Sequence, residues 1–320
     1  MNPIRIAVLS ASRIVPDFLQ AAAACPEVEV TALCTRPQSA EKGAALCAQY
    51  GIPKQYTDEA ACYADPEVDA VYVATANHLH EQAARRALEA GCHVLLEKPF
   101  TATAAEARAL FALADAKGLV LMEAITTPYL PQYAFLQQHL ADLGPVRGAM
   151  ASFCARSARY DDYLNGIWNT TFDPACLGGA LNDMNVYNLH LLCGLLGQPQ
   201  SAEYRPSLGP NGVDTAGLAL LQYPGFTAAC LAAKDSAGVN GCTLQGPGGC
   251  LAVQGGTNAL TQVWLQQGTA RTDGPAETEH RMVYEIRAFA QMIAGQDPTL
   301  EPAARARTLA VMDLLDTLHG

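Results

Sequence analysis

Short runs of β-forming residues alternate with helical patterns up to residue 122, and this alternation constrains the fold more than any other feature of the sequence. The runs are predicted strands at residues 4–9, 28–33, 68–73, 92–96 and 119–122. Predicted helices lie between them, the first ending near residue 24 and the others spanning residues 40–50, 81–90 and 104–117. Thr103 and Glu106 form a capping box at the start of the last helix. This βαβ alternation predicts a doubly wound parallel sheet that binds its ligand at the carboxyl ends of the strands.

The pattern changes from about residue 123 onward. Predicted helices and strands now mix, with helices at residues 133–143, 180–196, 283–294 and 303–318 and strands at residues 147–154, 217–222, 226–233, 241–245, 251–254 and 260–266. Glycine and proline separate these strands, which is typical of an antiparallel sheet. We therefore expect a dinucleotide-binding Rossmann domain at residues 1–123 and an α+β domain with a mainly antiparallel open sheet at residues 124–320.

Composition excludes several classes of function. The chain has 20 basic and 31 acidic residues, a net charge of −11, so we expect it to bind neither nucleic acid nor anionic membranes through a general basic surface. Its apolar runs are shorter than the ~20 residues of a membrane span, and its first residues lack the pattern of a signal peptide. The eleven cysteines form no CxxC pair. These features predict a cytoplasmic protein whose cysteines are small core residues.

The turn after the first predicted strand reads Ser10-Ala11-Ser12-Arg13-Ile14-Val15. It stands where dinucleotide-binding folds carry GxGxxG, yet none of the three glycines is present. Serine hydroxyls can still donate hydrogen bonds to a phosphate, and a helix N-terminus near Arg13 favours an anion. Ser10, Ser12, Arg13 and Ile14 are therefore candidate cofactor contacts. The alternative is that Ser10 or Ser12 only caps the following helix.

The second predicted strand ends in Cys34-Thr35-Arg36, where NAD-specific folds usually place a carboxylate for the ribose hydroxyls. A threonine and an arginine suit a 2′-phosphate better, because they offer a hydrogen bond and a charge-assisted pair. Thr35 and Arg36 therefore favour NADP over NAD. An ordinary turn arginine is the alternative.

Three longer motifs resemble one known family when they are taken together. They read VYVATANHLHE at residues 71–81, ALEAGCHVLLEKPF at residues 87–100 and GGALNDMNVYNLH at residues 178–190. In this order and spacing the chain resembles the Gfo/Idh/MocA oxidoreductases over essentially its whole length. The segment MEA at residues 122–124, followed by YLP at residues 129–131, is most similar to the dihydrodiol and xylose dehydrogenase branch.

The resemblance implies roles for particular residues. Lys98 of the EKP motif would lie beside the nicotinamide and the substrate hydroxyl, where an ammonium can stabilise a developing alkoxide and lower the pKa of a neighbouring acid. Of the five lysines, Lys98 alone is expected to follow an apolar strand. Tyr187 would be the acid/base and Asp183 would orient the hydroxyls. The remaining implied cofactor contacts are Thr75, Asn77, His80 and Glu97.

Asp183, Tyr187 and His190 are spaced i, i+4 and i+7, so a regular helix would place them on one face. The alternative for Tyr187 is an amphipathic core residue, and for His190 a buried histidine. Arg159 and Tyr160, with Ser157, belong to a polar segment that either contacts substrate or is surface. No metal site is predicted from the pair His78 and His80.

The sequence departs from the family pattern at three further positions. Asn185 replaces a usual glycine, Pro128 a frequent arginine and Ala76 a usual proline. The expected function is an NAD(P)-dependent oxidoreductase that transfers a hydride between nicotinamide and a carbohydrate, polyol or dihydrodiol. A catalytically impaired nucleotide- or sugar-binding member is the alternative. The resemblance also implies a homodimer formed through the second-domain sheet, and an interaction protein that uses this sheet is compatible with either reading.

Overall fold

A computed structural model describes residues 2–320, which form two compact units. The first unit comprises the residues up to Ala124 together with Glu279–Ala306, and the second comprises Ile125–Thr278 and Arg307–Gly320. The linear division at residue 123 did not anticipate the return of residues 279–306 to the first unit.

Six parallel strands form the sheet of the first unit, in the order β3-β2-β1-β4-β5-β6. The strands are β1 (Ile4–Leu9), β2 (Val28–Cys34), β3 (Lys54–Tyr56), β4 (Ala70–Val73), β5 (His93–Glu97) and β6 (Leu121–Ala124). The helices are α1 (Val15–Ala23), α2 (Ala40–Tyr50), α3 (Glu59–Tyr63), α4 (His80–Glu89) and α5 (Ala104–Lys117). This is the doubly wound sheet that the alternating pattern predicted. The predicted capping box of Thr103 and Glu106 is also confirmed at the start of α5.

The core of this unit lies on both faces of the central strands. All four residues of β4 are buried, as continuous apolar strands of parallel sheets usually are. The ring of Phe18 on α1 stacks on Tyr72 of β4 with centroids 3.7 Å apart. This contact fixes the first helix, and with it the preceding turn, against the sheet.

Eight strands form the sheet of the second unit, in the order β14-β13-β12-β11-β7-β10-β9-β8. The strands are β7 (Gly148–Cys154), β8 (Ser201–Leu208), β9 (Asp214–Tyr223), β10 (Phe226–Ala233), β11 (Gly241–Gly246), β12 (Gly249–Gln254), β13 (Gln262–Gln267) and β14 (Ala270–Asp273). The helices of this part are α6 (Pro131–His139), α7 (Tyr160–Leu164) and α8 (Val186–Leu196). Among the described strands the neighbouring pairs are antiparallel except β7 and β10, so the predicted mainly antiparallel sheet is confirmed.

The chain ends in two helices, α9 (Arg281–Ile293) and α10 (Leu300–His319). Helix α9 packs on α1, and Cys25 of the first unit approaches the carbonyl oxygen of Val283 at 3.8 Å. The buried face of α9, which includes Ile286 and Phe289, explains why this late segment belongs to the first unit. No helix within residues 2–320 has both the length and the apolar character that crossing a bilayer requires.

Candidate active site

The turn after β1 keeps an unusual backbone conformation although it lacks glycine. Ser10 has φ of 111°, a region that side-chain-bearing residues rarely adopt and that costs about 1–3 kcal/mol. Its backbone N–H donates to the carbonyl of Cys34 at 2.8 Å, and its hydroxyl oxygen accepts from the N–H of Ser12 at 3.0 Å. These bonds hold the strained turn at the carboxyl ends of β1 and β2.

The alternative interpretation of these serines as helix caps is wrong. Helix α1 has Ile14 as its N-cap residue, and no side chain within residues 2–320 caps it. The Ser12 hydroxyl is instead buried with no hydrogen-bond partner in the described part of the chain. Arg13 is exposed at the same turn.

Three buried hydroxyls share the carboxyl edge of the parallel sheet. Leu9 pairs with Cys34 on one side and with Val73 on the other, so the turns that follow β1, β2 and β4 begin at one level. The hydroxyls of Ser12, Thr35 and Thr75 in these turns have no partner among residues 2–320. A buried polar group left unpaired costs about 1–3 kcal/mol, so such groups call for an explanation.

A dinucleotide fits this arrangement. Hydroxyl donors at the ends of adjacent parallel strands match the phosphates and ribose hydroxyls that such folds bind. Arg36 follows Thr35 and is exposed. The end of β2, residues 34–36, carries no carboxylate. The residues present would therefore accept the cofactor that the resemblance implies.

His80 joins two of the turns at this edge. Its side chain is 1% exposed, with Nδ1 2.8 Å from the carbonyl oxygen of Pro99 and Nε2 3.2 Å from that of Thr75. Burial lowers the pKa of His80 to about 4, and the two carbonyl contacts oppose this shift. The ring is thus neutral near pH 7 and fixes the position of Pro99, directly after Lys98. A direct contact of His80 with cofactor stays a prediction.

Glu97 anchors Lys98 from inside the sheet. Its carboxylate accepts a hydrogen bond from the Tyr72 hydroxyl at 2.5 Å and one from the backbone N–H of Lys98 at 3.2 Å. Burial raises the pKa of Glu97, and the bond from Tyr72 opposes that shift. Lys98 itself is half-buried at the end of β5. Asn77 is half-buried in the short 3₁₀ turn after β4.

In the second unit, a glycine allows a carboxylate to cap the helix that carries Asp183. Gly179 has φ of +113°, and a Cβ there would overlap Oδ1 of Asp214. Oδ2 of Asp214 accepts from the Leu181 N–H at 2.7 Å and from the Tyr204 hydroxyl at 2.6 Å. The start of the helix is therefore fixed by a half-buried side chain from β9.

The predicted regular helix begins instead with a π-helical turn, Leu181–Asn185, before α8. The i, i+4, i+7 spacing therefore does not describe one continuous α-helical face, because Asp183 lies in the wider turn. Tyr187 is partly exposed and its ring meets Phe153 edge-on at 5.7 Å between centroids. His190 is 1% exposed.

Asn185 has a structural role that explains its departure from glycine. Its side-chain amide donates to the carbonyl of Cys230 on β10 at 3.1 Å, and its oxygen accepts from Asn188 at 2.8 Å. Asn188 in turn accepts from the hydroxyl of Thr257 at 2.8 Å. This buried polar chain ties the helix to the sheet.

The sequence analysis did not single out Lys234, which is a charged partner of Asp183. Lys234 follows β10 directly, so the expectation that Lys98 alone follows an apolar strand is wrong. Its Nζ lies 2.8 Å from Oδ2 of Asp183. The sequence signal for Lys234 was the apolar run of residues 226–233 directly before it.

The predicted substrate residues Arg159 and Tyr160 lie at the start of α7. Arg159 is exposed, and the ring centroid of Tyr160 lies 5.7 Å from that of Phe172.

The comparisons with known proteins agree with this architecture. A family model described as "Oxidoreductase family, NAD-binding Rossmann fold" matches residues 4–125. The chain is 30% identical to scyllo-inositol 2-dehydrogenase (NADP(+)) IolU of Bacillus subtilis (strain 168), over 98% of this chain and 95% of that protein. It is 31% identical to trans-1,2-dihydrobenzene-1,2-diol dehydrogenase of Oryctolagus cuniculus, over 76% and 73% of the two chains. KijD10, a 3-ketoreductase from Actinomadura kijaniata crystallised with NADP and TDP-benzene, matches with a TM-score of 0.87 at 28% identity, covering 99% of this chain and 97% of that one.

A parallel sheet in this strand order, with polar groups at its carboxyl edge, defines a nucleotide-binding α/β protein. More particularly, the chain belongs to the Gfo/Idh/MocA family of oxidoreductases. The resemblance predicted from its three motifs is confirmed.

Proposed function

We propose that this protein is an NADP-dependent oxidoreductase acting on a hydroxyl-bearing carbon of a sugar, polyol or dihydrodiol. The observation that carries the proposal is the set of three buried hydroxyls, without partners among residues 2–320, at the sheet edge where Lys98 also lies. The relatives named above, an inositol dehydrogenase and a dihydrobenzenediol dehydrogenase, support the substrate class.

The choice of NADP rests on the end of β2. The Thr35 hydroxyl has no partner among residues 2–320 and would donate to a 2′-phosphate, and the exposed Arg36 guanidinium would supply a charge-assisted hydrogen bond. The relative from Bacillus subtilis is named as NADP-dependent, which supports the same choice. NADP, when bound, supplies or accepts the hydride.

The protein's own residues would handle the proton and the orientation of the substrate. Tyr187 would exchange the proton of the reacting hydroxyl, which is worth about 10²–10⁴-fold in rate for a well-placed acid/base. The Lys98 ammonium would stabilise the negative charge that develops on that oxygen. Asp183 would accept hydrogen bonds from substrate hydroxyls. Arg159, Tyr160 and His190 are proposed to complete substrate recognition.

The test combines cofactor binding with turnover. NADPH and NADH binding is measured by fluorescence, and rates are measured on a panel of sugars, polyols and diols. The variants are Lys98→Met and, as a matched control, Lys42→Met, which changes an exposed lysine. We expect Lys42→Met to match the wild type and Lys98→Met to lose about 100-fold or more in kcat. Equal rates for Lys98→Met and the wild type would refute the role of Lys98.

A catalytically impaired nucleotide- or sugar-binding member is the second candidate function. The strained Ser10 in a turn without glycine favours it, because side chains there occupy space that glycine leaves to a pyrophosphate. A chain that binds no dinucleotide at millimolar concentration, yet gains thermal stability from a sugar, would establish this alternative.

We also propose a cytoplasmic homodimer formed through the second sheet. Met150 on β7 and Leu231 on β10 are 66% and 43% exposed and lie on the same face, since Met150 pairs with Ala229. Exposed apolar side chains on an open sheet face support a protein interface. All eleven cysteines are free, and nine of them are buried, which suits a reducing compartment.

A further inference from the structure

Lys234 is a lysine placed almost entirely inside the second unit. It is 2% exposed, although lysine is rarely buried unless it is paired. Its position is fixed through the backbone, because its N–H donates to the carbonyl of Thr215 at 2.7 Å and its carbonyl accepts from the N–H of Ser157 at 2.7 Å. The side chain therefore starts from a rigid point between β9 and the segment that leads to α7.

Within the described part of the chain, the ammonium group makes three contacts. Nζ pairs with Oδ2 of Asp183 at 2.8 Å and donates to the carbonyl of Thr171 at 2.7 Å. It also lies 4.7 Å from the centroid of the Phe172 ring, a cation–π contact. One buried charge thus connects the π-helical turn with the polar segment that ends near residue 173.

The two partners of the ion pair differ in exposure. The side chain of Lys234 is 3% exposed, whereas that of Asp183 is 31% exposed. The lysine therefore contacts the carboxylate from the interior of the unit, and the carboxylate reaches the surface. A buried ion pair often adds little net stability compared with an apolar pair of the same size, whereas removing one partner leaves the other charge uncompensated.

We propose that Lys234 is a positioning residue, which holds Asp183 oriented for the substrate hydroxyls and couples it to the Thr171–Phe172 segment. The inference rests on the proposed role of Asp183 in substrate binding. In this proposal Lys234 acts through Asp183 and not on the reacting atoms, so its loss should weaken substrate binding without changing the binding of cofactor to the first unit.

The experiment measures kcat, KM for the best substrate of the panel, and the NADPH Kd. It compares the wild type with Lys234→Met, Asp183→Asn, the double variant and the exposed-lysine control Lys42→Met. We expect Lys234→Met to raise KM about tenfold or more while the NADPH Kd stays within about twofold. We also expect the double variant to be no worse than Asp183→Asn alone, because both substitutions remove the same interaction.

Two results would overturn the inference. One is an unchanged KM in Lys234→Met, and the other is an additive loss in the double variant. If Lys234→Met does not fold, the double variant decides, because it removes both charges of the pair: folding with the kinetics of Asp183→Asn supports the inference, and failure to fold overturns it. A wild type that turns over nothing refutes the proposed function itself, which is a distinguishable failure.

Discussion

The close approach of Gly179 and Asp214 allows a quantitative prediction for Gly179→Ala. An alanine at φ +113° carries backbone strain of about 1–3 kcal/mol. Its Cβ would also overlap Oδ1 of Asp214, so the carboxylate must move. Losing one of the two hydrogen bonds that Oδ2 accepts, from Leu181 or Tyr204, costs about 1.5–3 kcal/mol more. We expect a total loss of roughly 2.5–6 kcal/mol in the free energy of unfolding.

Gly225→Ala is the matched control. Gly225 lies in the same unit at φ +85°, and an added Cβ would meet no atom of residues 2–320 within 4 Å, so only the backbone strain applies. Both tryptophans, Trp168 and Trp264, belong to the second unit, and urea unfolding followed by tryptophan fluorescence therefore reports on that unit. Gly179→Ala should exceed the control by about 1.5–3 kcal/mol. Equal losses for the two variants would refute the reasoning. It would also be refuted if, in an Asp214→Ala background, Gly179→Ala still lost about 1.5–3 kcal/mol more than Gly225→Ala, as much as in the wild type.

Cofactor choice, pH dependence and assembly give three further predictions. Arg36→Ala should weaken NADPH binding about tenfold or more and leave NADH binding unchanged, in fluorescence titrations of both cofactors; equal losses would contradict the assigned 2′-phosphate contact. The pKa of His80 is lowered from 6.5 to about 4, so on acidification the unfolded chain takes up a proton at a higher pH than the folded chain does. The contribution of His80 to the free energy of unfolding is therefore complete above pH 6.5 and falls by up to about 3 kcal/mol as the pH drops to 4. Unfolding titrations across that range should show a shallower pH dependence for His80→Gln, and an unchanged slope would contradict the burial of a neutral ring. Replacing Met150 and Leu231 together by glutamate should give a monomer in size-exclusion chromatography with light scattering, and an unchanged dimer would place the interface elsewhere.

The sequence predicted those parts of the fold that depend on local pattern. The capping box of Thr103 and Glu106 needs only two side chains and one helix start, and it is present as expected. The edge strands β8 and β14 were missed because exposed edge strands need no apolar alternation, and Pro206 in β8 is typical of such an edge. The return of α9 to the first unit depends on long-range packing against α1, which no local pattern encodes.

The candidate site was also predicted only in part, because local motifs identify residues but do not encode long-range contacts. Motifs identified Lys98, Asp183 and Tyr187 as candidate residues, but the π-helical turn at Leu181–Asn185 depends on contacts with Asp214 and the sheet. The positive φ of Ser10 occurs where its N–H bonds to Cys34 on the neighbouring strand, a long-range contact, although glycine is absent. The role of Lys234 is not predictable from local pattern, because its partner Asp183 lies 51 positions earlier in the chain and meets it only in the folded protein.

Hydride transfer between a substrate carbinol carbon and NADP is tested most directly by isotope labelling. The wild type is incubated with NADP⁺ and a panel substrate deuterated at the carbinol carbon, and the cofactor is then examined by mass spectrometry. We expect NADPH that carries one deuterium, formed at a rate that Lys98→Met reduces about 100-fold or more. Unlabelled NADPH, or no reduction of NADP⁺ with any substrate of the panel, would contradict the proposed function.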